Sequence, residues 1–225
     1  RIAIANPTAN IREESNTGLV RIYKRGRDSW FQVDMVTAPL GANSQDFGAG
    51  FAFNEDGSEL VVASKDEDFL EHLAYHFVRN NNGTWAYNTS LQYGTRNIIT
   101  VGARVPIDFH DDVIAVGAVP EEEVRLFTRE LSGWSDFSVL TSESVRFGLF
   151  GVQVEMIDGF MAVSVPANSV VGRDGEGSVV LFAGEGASWD EVALINNPKM
   201  EGLYADQISF DENGRLLSIT SEYQN

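Results

Sequence analysis

The chain has 225 residues, 43% hydrophobic and 22% charged, which is the composition of a folded protein rather than a disordered one. Its 33 acidic and 16 basic residues give a net charge of −17, which argues against nucleic acid or an anionic membrane as a partner, since both bind through a basic surface. It has no cysteine and no apolar stretch approaching ~18 residues, so the sequence predicts neither a disulfide nor a membrane span in this segment.

The sequence repeats itself with a period of roughly 50 residues, which is typical of propeller blades when each unit contains strands. In each copy a tryptophan follows two strand-like stretches that are joined by a polar turn. The four residues are Trp30, Trp85, Trp134 and Trp189. In chain order, the predicted units span residues 1–43 (partial), 44–97, 98–144, 145–199 and 200–225 (partial).

Each complete unit is predicted to form four antiparallel strands. The first strand begins near a Phe-Gly pair, at Phe47-Gly48 and Phe147-Gly148, and ends at a turn rich in Asp, Asn and Gly. The second strand is small and apolar, as expected for a strand covered on both faces. The third ends at an aromatic residue and the fourth begins with the tryptophan. The third-strand aromatics are Tyr23, Phe77, Phe127 and Phe182.

The repeated tryptophans have two readings. A large aromatic ring can fill the space between neighbouring blades, or it can act as a platform on which a sugar stacks. Because the residue recurs in all four units, the sequence favours packing.

Several phrases resemble the FG-GAP repeat, which is the blade of the integrin α-subunit propeller. Asp46-Phe47-Gly48 and Arg146-Phe147-Gly148 match the Phe-Gly part. Gly117-Ala118-Val119-Pro120 matches the Gly-Ala-Pro part, with weaker versions at Ser164-Val165-Pro166 and Ala5-Asn6-Pro7. The resemblance covers essentially the whole chain. It implies an all-β propeller used for adhesion, recognition or scaffolding, commonly in an extracellular or cell-surface location.

The same resemblance implies calcium as a candidate cofactor, because several integrin-type first hairpins carry a calcium-binding loop. The closest residues here are Asn54, Asp56 and Glu59, followed by Asp211 and Asn213. Calcium prefers six to eight oxygen ligands, so carbonyls and water would have to complete each set. A hairpin turn also uses Asp and Asn for its own geometry. The turn reading is preferred, and calcium is retained as the alternative cofactor.

Two acidic runs occupy the same predicted loop, between the second and third strands of successive units. They consist of Asp66, Glu67 and Asp68, and of Glu121, Glu122 and Glu123. Together they predict an acidic rim. A solvated loop explains most such runs, and a cation or a basic partner is the alternative.

The three histidines do not form an evident site in the sequence. His72 and His76 fall on one side of a predicted third strand and are expected to be surface or half-buried residues. His110 precedes two aspartates in a predicted hairpin and is expected in a solvated turn. Two glycosylation sequons, at Asn82 and Asn88, add modest weight to secretion.

The leading functional prediction is a non-catalytic extracellular module that recognises a protein or glycan, or that assembles with copies of itself, as in a surface filament. A lectin-like sugar-binding propeller is one alternative. A polysaccharide-active propeller enzyme with carboxylates on its axial face is the other. No serine elbow or phosphate loop is present, and no acid/base pair can be singled out.

The two ends of the chain carry a further expectation. The segment opens at the second strand of one unit and stops at the second strand of another. Closing these ends into a four-blade ring would leave an apolar strand with an uncovered edge. We therefore expect a larger propeller, or an array completed by neighbouring chains. Residues 1–5 and 215–219 would then pair with strands beyond this segment.

Overall fold

The computed structural model describes residues 1–11, 17–40, 42, 45–65, 72–94, 104–145, 148–167, 177–197, 203–211, 213–214 and 217–222. These residues belong to two compact units. The first runs through residue 94 and includes residues 104–105, and the second begins at residue 106. The described residues contain no helix that is long and apolar enough to cross a membrane.

The first unit contains two antiparallel sheets. One has the order β1-β2-β3 and consists of β1 (Ile2–Asn6), β2 (Leu19–Arg25) and β3 (Trp30–Val36). The other has the order β4-β5-β6-β7 and consists of β4 (Gln45–Phe53), β5 (Glu59–Lys65), β6 (His72–Arg79) and β7 (Trp85–Gly94). The sheets share a core in which Phe47, fully buried, contacts Tyr75 and Phe77 at ring-centroid distances of 5.7 and 6.0 Å.

The second unit contains three sheets. The first comprises β8 (Ile107–His110), β9 (Val113–Ala118), β10 (Glu123–Glu130), β11 (Gly133–Trp134) and β12 (Ser138–Leu140), with a 3-10 turn at Val119–Glu121. The next has the order β13 (Val154–Ile157), β14 (Phe160–Val165), β15 (Ser178–Glu185) and β16 (Ser188–Asn196). The last pairs β17 (Leu203–Phe210) with β18 (Leu217–Glu222).

This architecture confirms the predicted all-β fold of four-stranded antiparallel sheets, with two departures. The fourth strand after β10 is split into β11 and β12, because the Ser135 hydroxyl accepts the N–H of Thr128 at 3.0 Å and interrupts the ladder. The strand predicted to begin at Phe147 begins instead at Val154. Leu149 and Gly151 have φ values of 63° and 93°, which lie outside the extended region of a regular strand.

The glycines of the repeat allow close approach between backbones. A Cβ added to Gly117 would lie 2.0 Å from the carbonyl oxygen of Gly151, and one added to Gly48 would lie 3.1 Å from Cβ of Ala5. In both cases a residue of a second strand meets a glycine near the start of the following unit. A glycine at these places lets the two backbones approach more closely than a side chain would allow.

The four tryptophans occupy equivalent places, at or next to the start of a fourth strand. Their cross-strand neighbours on the third strand are Arg25, Arg79, Arg129 and Gly184, in chain order. Trp85 packs on Phe53, and Trp134 packs on Phe109. Trp30 is 46% exposed, so the packing role predicted for it is weaker than for the others.

Candidate functional site

The copies of the repeat differ most informatively in the middle of their first strands. Asp108 in β8, Glu155 in β13 and Ser209 in β17 occupy matching positions, since each directly precedes an apolar residue near the end of its first strand. The same position in β4 of the first unit is Ala52. The second unit therefore carries polar side chains along a row of three first strands.

Asp108 anchors one end of this row. Its Oδ1 accepts the backbone N–H of Phe109 at 2.8 Å, and its Oδ2 accepts the backbone N–H of Met156 at 2.6 Å. Burial raises the pKa of Asp108, while these two hydrogen bonds and the nearby His110 oppose the increase. Two N–H donors on the two oxygens favour the carboxylate form.

Glu155 is the residue next to Met156, and its environment differs from that of an ordinary surface carboxylate. Burial and, secondarily, the negative charge of Asp108 raise the pKa of Glu155 to about 7. The Ser209 hydroxyl donates to Oε1 of Glu155 at 3.4 Å, which partly offsets the increase. Glu155 remains partly exposed to solvent. It can therefore exchange a proton with a bound molecule near neutral pH.

A neighbouring contact shows that linking the first strands does not require a carboxylate. The side-chain oxygen of Gln153, the residue before β13, accepts the backbone N–H of Ile208 at 2.9 Å and links this segment to β17, as Asp108 links β8 to β13. A neutral amide performs that linking role. The negative charges of Asp108 and Glu155 are thus additional to what strand linkage needs, which favours a chemical role for the pair.

A second polar group lies at the hairpins that follow the same strands. Nε2 of His110 lies 2.9 Å from Oδ1 of Asp158 and 3.7 Å from Oδ2 of Asp111. One ligand atom from each of the three lies within 4.8 Å of the others, so the group could hold a metal ion. Asp111 lies in a solvated turn as predicted, whereas the His110 side chain is only 15% exposed and faces the neighbouring hairpin.

The residues predicted as calcium ligands in the first unit make the hydrogen bonds of their own hairpin. Oδ1 of Asn54 accepts the N–H of Glu59 at 2.8 Å, and Oδ1 of Asp56 accepts the N–H of Ser58 at 2.7 Å. The Glu59 carboxylate contacts His76. In the second unit, the Asp211 carbonyl accepts the N–H of Gly214, and Asn213 is exposed. Calcium at these residues stays a prediction.

The two histidines of β6 correct the sequence-based expectation. His72 and His76 were expected at the surface or half-buried, yet they are 3% and 1% exposed. Nδ1 of His76 lies 3.2 Å from Oδ1 of Asn88, and its Nε2 contacts the Glu59 carboxylate. These polar partners allow the imidazole to be buried, which strand position alone could not reveal.

The predicted acidic rim is described in part. Asp66, Glu67 and Asp68 lie outside the described residues. In the other run, Glu123 pairs with Arg125, and the Glu122 carboxylate accepts the N–H of Leu149 at 3.3 Å. Glu121 ends the 3-10 turn. Glu122 and Glu123 therefore both make contacts within the second unit.

The remaining predicted positions are surface or structural. Asn82 and Asn88 are exposed, and Oδ1 of Asn82 accepts the N–H of Thr84 at the tip of the β6–β7 hairpin. Phe47 and Gly48 are buried, as is Gly148, and Phe147 lies outside the described residues.

No protein-family model matches the sequence, and no curated protein matches it. The fold resembles solved structures. The periplasmic gluconolactonase PpgL of Pseudomonas aeruginosa is similar at TM-score 0.66 and 12% identity, over 98% of this chain and 62% of that one. The β-propeller domain of the Trilobed protease of Pyrococcus furiosus gives TM-score 0.46 and 9% identity, over 97% and 64%. A candidate 6-phosphogluconolactonase of Bacteroides uniformis gives TM-score 0.45 and 11% identity, over 99% and 76%.

The fold is therefore that of a β-propeller, as the sequence predicted. The chain spans less than two thirds of the length of the gluconolactonase that it resembles. At 12% identity, this likeness extends to the fold alone.

The comparison corrects the leading functional prediction. A non-catalytic recognition or assembly module was expected, and the chain was predicted not to be an enzyme. The structure that matches at TM-score 0.66 is an enzyme. Both predictions were wrong. The repeat had suggested adhesion by its resemblance to integrin blades, but one blade architecture serves many functions, so the blade pattern could not decide between them.

Sequence reasoning also missed Asp108 and Glu155. The signal that could have found them is the alignment of the first strands, where acidic residues replace the small Ala52. That signal is weak without burial, because the chain has 33 acidic residues and most such groups lie in water.

Proposed function

We propose that the second unit carries the proton-transfer site of a β-propeller hydrolase that opens a sugar-derived lactone, with Glu155 as the general acid and base. The observation that supports this proposal is the row formed by Asp108, Glu155 and Ser209. In this row the partly exposed carboxyl of Glu155 lies beside the Asp108 carboxylate and the Ser209 hydroxyl. The gluconolactonase likeness supports the choice of substrate class. Of the three functions that the sequence left open, this proposal is nearest to the carbohydrate-active enzyme.

The chemistry assigns one role to each group. The Glu155 carboxylate takes a proton from water as the water oxygen bonds to the lactone carbonyl carbon. The ring C–O bond then breaks, and the leaving alkoxide takes that proton back from Glu155, which gives the open hydroxy acid. A pKa near 7 suits both steps at neutral pH. Asp108 positions β13 through Met156 and helps to keep the pKa of Glu155 raised.

The test is a hydrolysis assay of the 225-residue chain with D-glucono-1,5-lactone, alongside a panel of chromogenic glycosides. Glu155→Gln should lower the enzymatic rate about 100-fold or more, in the range that general acid–base groups contribute. Glu185→Gln removes an exposed carboxylate of the same unit and should leave the rate unchanged. Glycoside cleavage that depends on Glu155 would reassign the substrate. Turnover of neither substrate class, or full activity in Glu155→Gln, would contradict the proposal.

We further propose that the repeat is a variant of FG-GAP. The support is the close approach of Gly48 to Ala5 and of Gly117 to Gly151, which uses the signature glycines where neighbouring sheets meet. Gly48→Ala should then lower the stability of the first unit, as measured by urea unfolding. A neutral effect would weaken the assignment.

An extracellular or cell-surface location is proposed on the exposed sequon at Asn82 and on the same resemblance. Fractionation of the source cells with an antibody against the chain tests it directly. Recovery in the cytosol would contradict it.

A further inference from the structure

A groove with a volume of about 530 Å³ opens on the second unit, beside the outer part of β16. One wall is the start of β16, and the other is the segment that follows β12. The residues that matter to its chemistry are Glu143, Trp189, Asp190 and Glu191, with the buried Phe182 beneath them. None of them belongs to the row of Asp108 and Glu155.

The charge of this groove is entirely negative among the described residues that line it. Glu143 and Asp190 are exposed, and neither a lysine nor an arginine lies among the lining residues. Glu191 is half-buried, and its Oε2 accepts the Ser142 hydroxyl at 2.7 Å. That hydrogen bond holds the Glu191 carboxylate in place on the same face of β16 as Trp189, whereas Asp190, between them in the strand, points to the opposite face.

Trp189 supplies an aromatic surface beside the carboxylates. Its Nε1 donates to the carbonyl of Gly186 at 2.8 Å, so the polar group of the indole is already satisfied within the hairpin. The ring is half-buried and packs against the core of the unit. What it offers to the groove is therefore ring surface rather than a hydrogen-bond donor.

The preceding sheet shows what such a ring accepts. At Trp134, the guanidinium carbon of Arg129 lies 4.5 Å from the ring centroid, and Arg129 is the cross-strand neighbour of that tryptophan. The corresponding neighbour of Trp189 is Gly184. A Cβ added there would lie 2.1 Å from the carbonyl oxygen of Ser188, so this hairpin has no room for a side chain. Among the described residues, no cation lies over Trp189.

We propose that this groove binds an arginine side chain of a basic peptide segment from a partner protein. The guanidinium would lie on Trp189, as Arg129 lies on Trp134, and would be held by the carboxylates of Glu143 and Glu191, of which Glu191 lies on the same face of β16 as Trp189. Planar guanidinium groups match carboxylates in geometry and favour tryptophan faces. The net charge of −17 attracts a basic segment over a longer range. A neutral sugar could donate hydroxyl hydrogen bonds to the carboxylates, but their charge would not attract it from a distance.

The test is calorimetric titration of the chain with acetyl-(Arg)3-amide at low salt, with NMR detection of the Trp189 indole N–H. The uncharged acetyl-(Gln)3-amide serves as the peptide control. The double variant Glu143→Gln/Glu191→Gln keeps the side-chain volumes, and the amide oxygen at 191 can still accept the Ser142 hydroxyl, so it should weaken binding about tenfold or more through loss of charge alone. The matched control, Glu130→Gln/Asp136→Asn, removes two exposed carboxylates that do not line the groove and are not in the Trp189 hairpin.

Saturable binding that shifts the Trp189 signal and is lost only in the first double variant supports the proposal. Equal weakening in both double variants would show non-specific charge attraction and would overturn it. Absence of saturation would also overturn it. So would binding of a neutral oligosaccharide at Trp189 without binding of the arginine peptide. Lactone hydrolysis is measured separately, so failure here leaves the proposed function standing.

Discussion

Oδ2 of Asp108 accepts the backbone N–H of Met156 at 2.6 Å, although the two residues are 48 positions apart in the chain. This hydrogen bond brings the buried Asp108 carboxylate beside Glu155. The first prediction follows from this contact. In Asp108→Asn, the amide oxygen can still accept the Met156 N–H, but the negative charge is gone. The pKa of Glu155 should therefore move down toward its ordinary value of 4.5. Carboxyl-detected NMR titration measures this shift, and an unchanged pKa would show that burial alone sets it.

The second prediction concerns the pH dependence of stability. Because the pKa of Glu155 is raised from 4.5 to about 7, the folded chain holds a proton that the unfolded chain releases. This contribution to stability is fully present below pH 4.5 and is lost as the pH rises through 7. Glu155→Gln should remove this loss. Allowing for its partial exposure, we expect the variant to be more stable than the parent by on the order of 1–2 kcal/mol at pH 8.

Urea unfolding at several pH values between 4.5 and 8 checks this expectation. Glu185→Gln, at an exposed carboxylate, is the control and should follow the parent curve. Parallel curves for Glu155→Gln and the parent would contradict the raised pKa.

The third prediction tests the close approach of two backbones. In Gly117→Ala, the new methyl group would overlap the carbonyl oxygen of Gly151, so one strand must shift. We expect a loss of about 1–3 kcal/mol in the free energy of unfolding. Gly26→Ala is the matched control, because its nearest neighbour is the movable side chain of Phe31 at 3.1 Å. Equal losses in the two variants would show that the contact with Gly151 is not what excludes a side chain at 117, since the entropy effect of a Gly→Ala change by itself favours the folded state.

The fourth prediction compares two repeated tryptophans. Trp134 is half-buried and contacts Phe109 and Arg129, so Trp134→Ala should cost about 1–3 kcal/mol. Trp30 is 46% exposed, and Trp30→Ala should cost less than about 1 kcal/mol. Chemical denaturation of both variants measures the difference. A larger loss of unfolding free energy in Trp30→Ala than in Trp134→Ala would show that burial of the ring does not determine its contribution to stability here.

The repeat is predictable from the sequence because its signals are local. Turns such as Asp56-Gly57 and Asp158-Gly159 place their glycines at φ values of 67° and 73°, a region that glycine adopts without strain. The small residues of β9 and β14 are buried on both faces, as their apolar runs indicate. Local chemistry was insufficient at residues 148–153, where Leu149 takes a left-handed conformation that its own sequence does not demand.

The candidate site was not predictable in the same way. Asp108 and Glu155 resemble the chain's other acidic residues in sequence, and only burial and mutual proximity distinguish them. The buried His76 is a similar case, since its partners Glu59 and Asn88 come from two other strands.

By itself, the sequence determined the strand periodicity, the turns and the equivalent placement of the four tryptophans, since these depend on neighbours within a few residues. The tertiary structure alone decided which carboxylates share an environment, and that Arg129 lies over the ring of Trp134. Such properties depend on distances between strands that the chain brings together from many residues apart. Electrostatic interactions follow those distances and the local burial rather than the order of residues.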